Sequence, residues 1–227
     1  MTRGRGIGAL RRGAARLTGR AISLFARLVT AVQAVWQGLD PDADPAGRRP
    51  RVYFANHASH GDFILVSSAL PPRLRDRTRP VAGADYWGGG GLRGFIGGDV
   101  FNALLIDRQR SDPGSDPVAL MAGALDQGAS LILFPEGTRN LTDEALLPFR
   151  SGLYHLAAAR PEVDLVPVWI ENLNRVLPKG SFIPVPLMCR TIFGAPLHLA
   201  QGEAKDAFLA RAQGALLALR PNPENGR

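Results

Sequence analysis

From residue 51 onward, short apolar runs alternate with longer segments of helical composition, and this alternation constrains the fold more than any other feature of the chain. The predicted strands are Val52–Phe54, Pro80–Ala84, Ala103–Ile106, Ser130–Phe134, Leu165–Ile170 and Met188–Phe193. The predicted helices include Phe63–Leu70, Val118–Asp126, Leu153–Arg160 and Ala204–Leu219. Strands that alternate with helices build an α/β domain, because each helix buries its apolar face on the sheet. The expected architecture is a mixed, largely parallel sheet flanked by helices. A chain of 227 residues has room for one sizeable core and a terminal extension. In such sheets ligands gather at the carboxyl ends of strands, so the loops that follow each strand carry the chemistry.

The stretch ahead of this alternation has a different character. Arg3, Arg5, Arg11, Arg12, Arg16, Arg20 and Arg27 all precede the first acidic residue, Asp40. The remaining 20 basic residues balance the 20 acidic ones, so the net charge of +7 resides in this arm. Ile7, Leu10, Ala14, Leu17, Ala21, Leu24, Leu28, Ala31 and Val35 recur at three- and four-residue steps, which places them on one helical face. A basic amphipathic helix suits a membrane surface: its apolar face enters the acyl boundary while each arginine near anionic headgroups contributes about 1 kcal/mol. Packing of the stripe on the domain, nucleic-acid binding and a targeting peptide compete with this reading. Few aromatics are available for base stacking, and Arg16, Arg20 and Arg27 interrupt any signal-peptide core. The expected partner is therefore a lipid surface and not nucleic acid. No uncharged apolar run approaches spanning length. The expected organisation is an arm over residues 1–38, a linker over 39–50 ("LDPDADPAGRRP"), a globular domain over 51–220 and a tail over 221–227. The single cysteine, Cys189, excludes an intramolecular disulfide and a cysteine-based zinc cluster.

Three loops offer chemistry. In "NHASHGDF", residues 56–63, His57 follows a strand and Asp62 stands at the start of a helix. The carboxylate can accept a hydrogen bond from one imidazole nitrogen and leave the other as a base, with a substrate hydroxyl in place of a protein nucleophile. Two alternatives remain at this point: Asp62 as a helix N-cap beside a plain loop histidine, and a metal held by His57, His60 and Asp62. In "SLILFPEGTRN", residues 130–140, a strand leads into Glu136, Gly137, Thr138 and Arg139. A guanidinium there suits bidentate contact with a phosphate, and Gly137 lets the backbone approach a ligand; a tight turn with a surface Glu–Arg pair is the alternative. Arg108 ends the run "ALLIDRQR", and Arg150 precedes Ser151 at a predicted helix start. With Arg139 they can line one anionic pocket if their loops share the sheet's edge. Gly89, Gly91 and Gly94 match a dinucleotide-binding glycine pattern, but Asp85-Tyr86-Trp87 is no smooth strand and Gly97-Gly98-Asp99 interrupts the helix required. No G-x-S-x-G occurs.

Read in order, "NHASHGD", "LLIDR", "FPEGTR" and "VPVWI" resemble the four sequence blocks of the PlsC-type glycerolipid acyltransferases, the lysophosphatidic acid acyltransferase family, and "FRSG" at 149–152 resembles a further block. The resemblance covers Arg51 to Ile170 and implies a glycerol-3-phosphate acyltransferase-like αβα fold. It implies an O-acyltransferase that uses acyl-CoA or acyl carrier protein as donor and a lysophospholipid, 1-acyl-glycerol-3-phosphate above all, as acceptor. His57 would be the base, Asp62 its orienter, and Glu136, Gly137, Thr138, Arg139, Arg108 and Arg150 would hold the acceptor headgroup. Pro167 falls in the fourth block, whose implied role is to shape the acyl pocket. No metal or redox cofactor is implied, and the enzyme would sit peripherally on the cytoplasmic face of a membrane. Asn140 stands where many members have serine, Arg150 where lysine is common, and the second block lacks the usual glycine. Those departures leave open another acceptor, such as a lyso-ornithine lipid. A non-catalytic lipid-surface or nucleic-acid-binding protein is the reading from outside the enzyme class.

Overall fold

The computed structural model describes residues 13–15, 17–19, 21–22, 24, 31–44, 46, 48–59, 61–87, 91, 94–107, 116–171 and 189–221. Seven strands form one sheet: β1 (Gln33–Trp36), β2 (Arg51–Ala55), β3 (Thr78–Gly83), β4 (Leu104–Ile106), β5 (Ser130–Leu133), β6 (Asp164–Glu171) and β7 (Arg190–Phe193). Their order is β1-β7-β6-β2-β5-β3-β4, parallel at every junction except β6–β7. The expected mixed, largely parallel sheet is therefore present. β2 lies at its centre with all five residues buried: Val52–Ala55 is the apolar run that a parallel sheet requires, and the buried Arg51 ahead of it is paired with Asp164 at 3.6 Å.

Helices cover both faces. α1 (Asp62–Ala69) and α2 (Pro72–Arg75) pack with Tyr53, Ile132, Val166 and Phe193. α4 (Pro117–Asp126), α5 (Gly152–Ala159) and α6 (Lys205–Ala218) pack on the other face with Val52, Phe54, Leu131 and Leu165, while the short α3 (Ala84–Trp87) follows β3. Alternation along β2 explains the split, since Val52 and Phe54 point one way and Tyr53 and Ala55 the other.

Pro167 sits inside β6, where a missing N–H would ordinarily cost a ladder bond. Its carbonyl accepts from Gly194 N–H at 2.9 Å, so the side that lacks the donor faces β7. Pairing with β7 begins only at Val168, and the ladder to β2 is intact.

Two boundaries differ from the sequence expectation. Residues 33–36, assigned to the arm, form the edge strand β1, in register with β7 from Gln33↔Arg190 to Trp36↔Phe193. Val35 matches a helical period, but tertiary pairing overrides it, and Trp36 stacks on Phe193 with ring centroids 4.1 Å apart. The stretch taken as a linker is tied to the domain: Leu39 is buried, Asp40 caps a 3₁₀ turn over Pro41–Ala43, and Asp44 accepts the backbone N–H groups of Arg48 and Arg49. Phe95–Val100, where the sequence predicts that Gly97-Gly98-Asp99 interrupts a helix, forms a π-helical turn. Gly89 of the dinucleotide pattern lies outside the described residues.

Of the arm, residues 13–15, 17–19, 21–22 and 24 are helical. Ala15 is buried against the domain, whereas Ala14, Leu17, Ala21 and Leu24 of the predicted stripe are exposed. Leu17 and Leu24 are 68% and 60% exposed, so this described part of the stripe faces away from the domain. No helix among the described residues is long and apolar enough to cross a membrane.

Candidate active site

β2 and β5 are neighbours, so the loops at their carboxyl ends meet. The β2 loop delivers His57 and the first turn of α1 delivers Asp62. His57 Nδ1 lies 2.8 Å from Asp62 Oδ2, and the same oxygen accepts the backbone N–H groups of Ala58 at 2.7 Å and Ser59 at 2.9 Å. An oxygen that accepts two N–H groups acts as acceptor toward the imidazole too, which assigns the proton to Nδ1 and leaves Nε2 as the free base. Asp62 is 1% exposed, while the His57 side chain retains 15% exposure and so reaches solvent. Phe134, at the end of β5, stacks on the imidazole at 4.2 Å and 19°, which fixes the ring plane. Asp62 is not the N-cap of the helix, a position held by Gly61; its carboxylate turns back to order the 57–59 loop and to orient the histidine together.

The β5 loop then secures the backbone of His57 from both sides. Glu136 Oε1 accepts the His57 N–H at 2.8 Å, and Asn140 N–H donates to the His57 carbonyl at 2.6 Å. Glu136 Oε2 accepts Leu147 N–H at 2.8 Å. Burial pushes the Glu136 carboxyl above its ordinary pKa, partly offset by the N–H groups of Leu147 and His57. With 2% exposure and both oxygens engaged by backbone, Glu136 is not an acceptor-headgroup ligand, contrary to the sequence expectation. It is a clamp between the histidine loop and the coil that leads to α5.

The other expected residues divide. Thr138 is exposed and Arg139 half-exposed on the same turn, and Arg139 has no hydrogen bond or ion pair among the described residues. Because Asn140 N–H is bonded to the His57 carbonyl, the turn that carries Thr138 and Arg139 adjoins the histidine loop. Arg150 is exposed at the rim; its N–H donates to the Pro135 carbonyl at 2.8 Å and its Nε to the Glu136 carbonyl at 3.3 Å. Its side chain lies across Gly137, which has φ +72°, and a Cβ there would collide with the Arg150 side chain. Gly137→Ala therefore meets both left-handed strain of about 1–2 kcal/mol and a displaced arginine. The expected result is a melting temperature lower by about 2–8 °C in thermal denaturation. Arg108 and His60 lie outside the described residues. Among the described residues no three histidine, cysteine or carboxylate side chains converge, and the shared hydrogen bond commits His57 and Asp62 to each other.

Three contributors escaped the sequence reading. Asn140 was singled out only as a departure, yet its side chain orders the turn: Oδ1 accepts from Thr142 N–H and Oγ1, and Nδ2 donates to the Glu144 carbonyl. Asn56, the first residue of the histidine loop, bonds Ile170 N–H and carbonyl reciprocally and so locks that loop onto β6. Phe134 carried an apolar strand-end signal and nothing more.

A family model described as acyltransferase matches residues 39–171, more than half of the chain. The 1-acyl-sn-glycerol-3-phosphate acyltransferase alpha of Mus musculus is 33% identical over 126 residues, 53% of this chain and 40% of its own length. The 1-acyl-sn-glycerol-3-phosphate acyltransferase of Escherichia coli (strain K12) is 30% identical over 148 residues, 60% of this chain and 54% of its own length. The chain thus spans about half the length of the curated relatives it matches. The crystal structure of the 1-acyl-sn-glycerophosphate acyltransferase PlsC from Thermotoga maritima is similar in fold, with a TM-score of 0.65 over 96% of this chain and 83% of that one at 18% identity. With its histidine and carboxylate joined at the edge of the central strand, and with the family model spanning both loops, the chain belongs to the PlsC-type acyltransferase family.

Proposed function

We propose that this protein transfers a fatty acyl group from an acyl thioester, acyl-CoA or acyl carrier protein, to the free hydroxyl of 1-acyl-glycerol-3-phosphate, giving phosphatidate. The observation that carries the reading is the single oxygen of Asp62 shared by His57 Nδ1 and two backbone N–H groups, which leaves Nε2 as an oriented base. As the acceptor hydroxyl oxygen attacks the thioester carbonyl, Nε2 takes its proton, and the Asp62 carboxylate offsets the charge of the imidazolium. When the tetrahedral intermediate collapses, the carbon–sulfur bond breaks and Nε2 returns the proton to the departing thiolate. Arg139 holds the acceptor phosphate with Thr138 beside it, and Arg150, whose side chain covers Gly137, adds charge at the rim. No metal or redox group takes part in this scheme.

The test is an acceptor panel with acyl-CoA and acyl carrier protein donors. Phosphatidate formation should exceed acylation of lysophosphatidylcholine or a lyso-ornithine lipid by at least about tenfold, since the half-exposed Arg139 guanidinium, uncommitted among the described residues, favours an acceptor that presents a phosphate monoester. Equal rates across the panel would contradict the acceptor assignment.

The acceptor resides in a bilayer, and the arm supplies the means to reach it. Its exposed stripe, with Leu17 and Leu24 outward, would enter the acyl boundary of the cytoplasmic face, where both donors are available. Deleting residues 1–30 spares β1 and is expected to abolish sedimentation with vesicles rich in anionic lipid. Unchanged sedimentation would refute the peripheral anchor.

A further inference from the structure

On the amino edge of the sheet, away from His57, lies a cavity of about 890 Å³ that the acyl-transfer chemistry leaves unused. Arg75 at the end of α2, Arg77 in the turn and Arg79 in β3 line it, with Asp76 the one carboxylate among the described lining residues. Arg75 is half-buried, and its side chain has no hydrogen bond or ion pair among the described residues. Arg79 donates through Nε to the Asn102 carbonyl at 2.7 Å, a neutral acceptor that leaves the charge uncompensated. Burial alone lowers its pKa from the ordinary arginine value, with no carboxylate opposing the shift. Gly128, at φ +80°, provides the turn on which Arg77 rests; a Cβ there would stand 3.3 Å from Arg77 Nη2. The site therefore gathers positive charge in a recess, an arrangement that calls for an anion.

Two further observations narrow the anion to one carried by an amphiphile. Val100 and Phe101 give the cavity an apolar flank, and Ala15 and Gly19 of the arm helix form one wall. That wall is tight, for a Cβ on Gly19 would sit 3.2 Å from Val100 Cγ1. The opposite side of the same helix carries the outward Leu17 and Leu24. A recess that is basic inside, apolar on one flank and walled by the helix with an unpartnered apolar stripe fits a ligand with a phosphate head and hydrocarbon chains.

We propose that this cavity binds the phosphate headgroup of an anionic phospholipid, at a site separate from the acceptor site at the carboxyl edge of the strands. A bound headgroup bridges the arm helix and the domain, and so fixes the arm's position when the protein rests on an anionic surface. The proposal stands independently of the catalytic reading, because binding is measured without turnover.

The experiment is calorimetric titration of the full chain with dihexanoyl-phosphatidylglycerol below its micelle concentration, so that no charged surface is present. sn-Glycerol 3-phosphate and inorganic phosphate serve as parallel ligands. Saturable binding of the short-chain lipid is expected, weakened roughly 30-fold in an Arg75→Gln/Arg79→Gln double variant, from the contribution of two arginines near an anionic headgroup. Ala129→Phe, which fills the cavity and leaves every charge in place, is expected to weaken it to a similar degree. Circular dichroism and an unchanged melting temperature confirm that each variant is folded. Absence of saturable binding, or unaltered affinity in a folded double variant, overturns the proposal. Equal affinity for inorganic phosphate and for the lipid overturns the lipid assignment in favour of a soluble anion.

Discussion

His57→Ala is expected to lower kcat about 10³-fold, within the 10²- to 10⁴-fold range that a positioned general base supplies. KM for both substrates should stay within about twofold, because a group that acts on the proton in flight contributes to the transition state and not to ground-state binding. The substitution reads chemistry cleanly. Asp62 Oδ2 keeps its bonds to Ala58 and Ser59, and the His57 backbone keeps its bonds to Glu136 and Asn140, none of which needs the imidazole. Steady-state kinetics with thiol detection gives the comparison. A rate within tenfold of the parent would mean that the acceptor proton leaves by another route.

Glu136→Ala is expected to injure both stability and rate. Its carboxylate answers two backbone N–H groups, those of His57 and Leu147, and each donor left without a partner in a buried position costs about 1–3 kcal/mol. Against a typical total stability of about 5–15 kcal/mol this is a large fraction. A loss of His57 placement by about 1 Å can lower kcat on the order of 10²-fold. Had Glu136 been a headgroup ligand, as the sequence suggested, the variant would raise the acceptor KM with an unchanged melting temperature. A thermal melt and a KM-against-kcat comparison on one preparation decide between the two roles.

The contrast between those two residues shows what a sequence can carry. The His57–Asp62 relation is local: a five-residue offset across a strand-to-helix turn brings the pair together, and the offset is visible in the chain itself. The role of Glu136 depends on Leu147, eleven residues away in coil that follows no period, and on His57, seventy-nine residues away across the sheet. Nothing in "FPEGTR" distinguishes a carboxylate that points inward from one that faces a ligand. The strands from β2 onward were legible because central strands read as unbroken apolar runs. β1 was not, since Val35 extends the helical stripe of the arm by coincidence and the strand becomes favourable only once β7 is beside it. The arm's outward stripe followed directly from periodicity, whereas the basic cavity behind it needed Arg75, Arg77 and Arg79 to meet chain segments remote in sequence.

The central claim is that His57 and Asp62 move an acyl group from a thioester to a lysophospholipid hydroxyl. The most direct measurement incubates the purified chain with isotope-labelled acyl-CoA and 1-acyl-glycerol-3-phosphate and quantifies free thiol and labelled phosphatidate together. Equal amounts of both products are expected from the parent protein, and about 10³-fold less of each in the same time from His57→Ala. Thiol release without labelled phosphatidate, or labelled phosphatidate at the parent rate from His57→Ala, would contradict it.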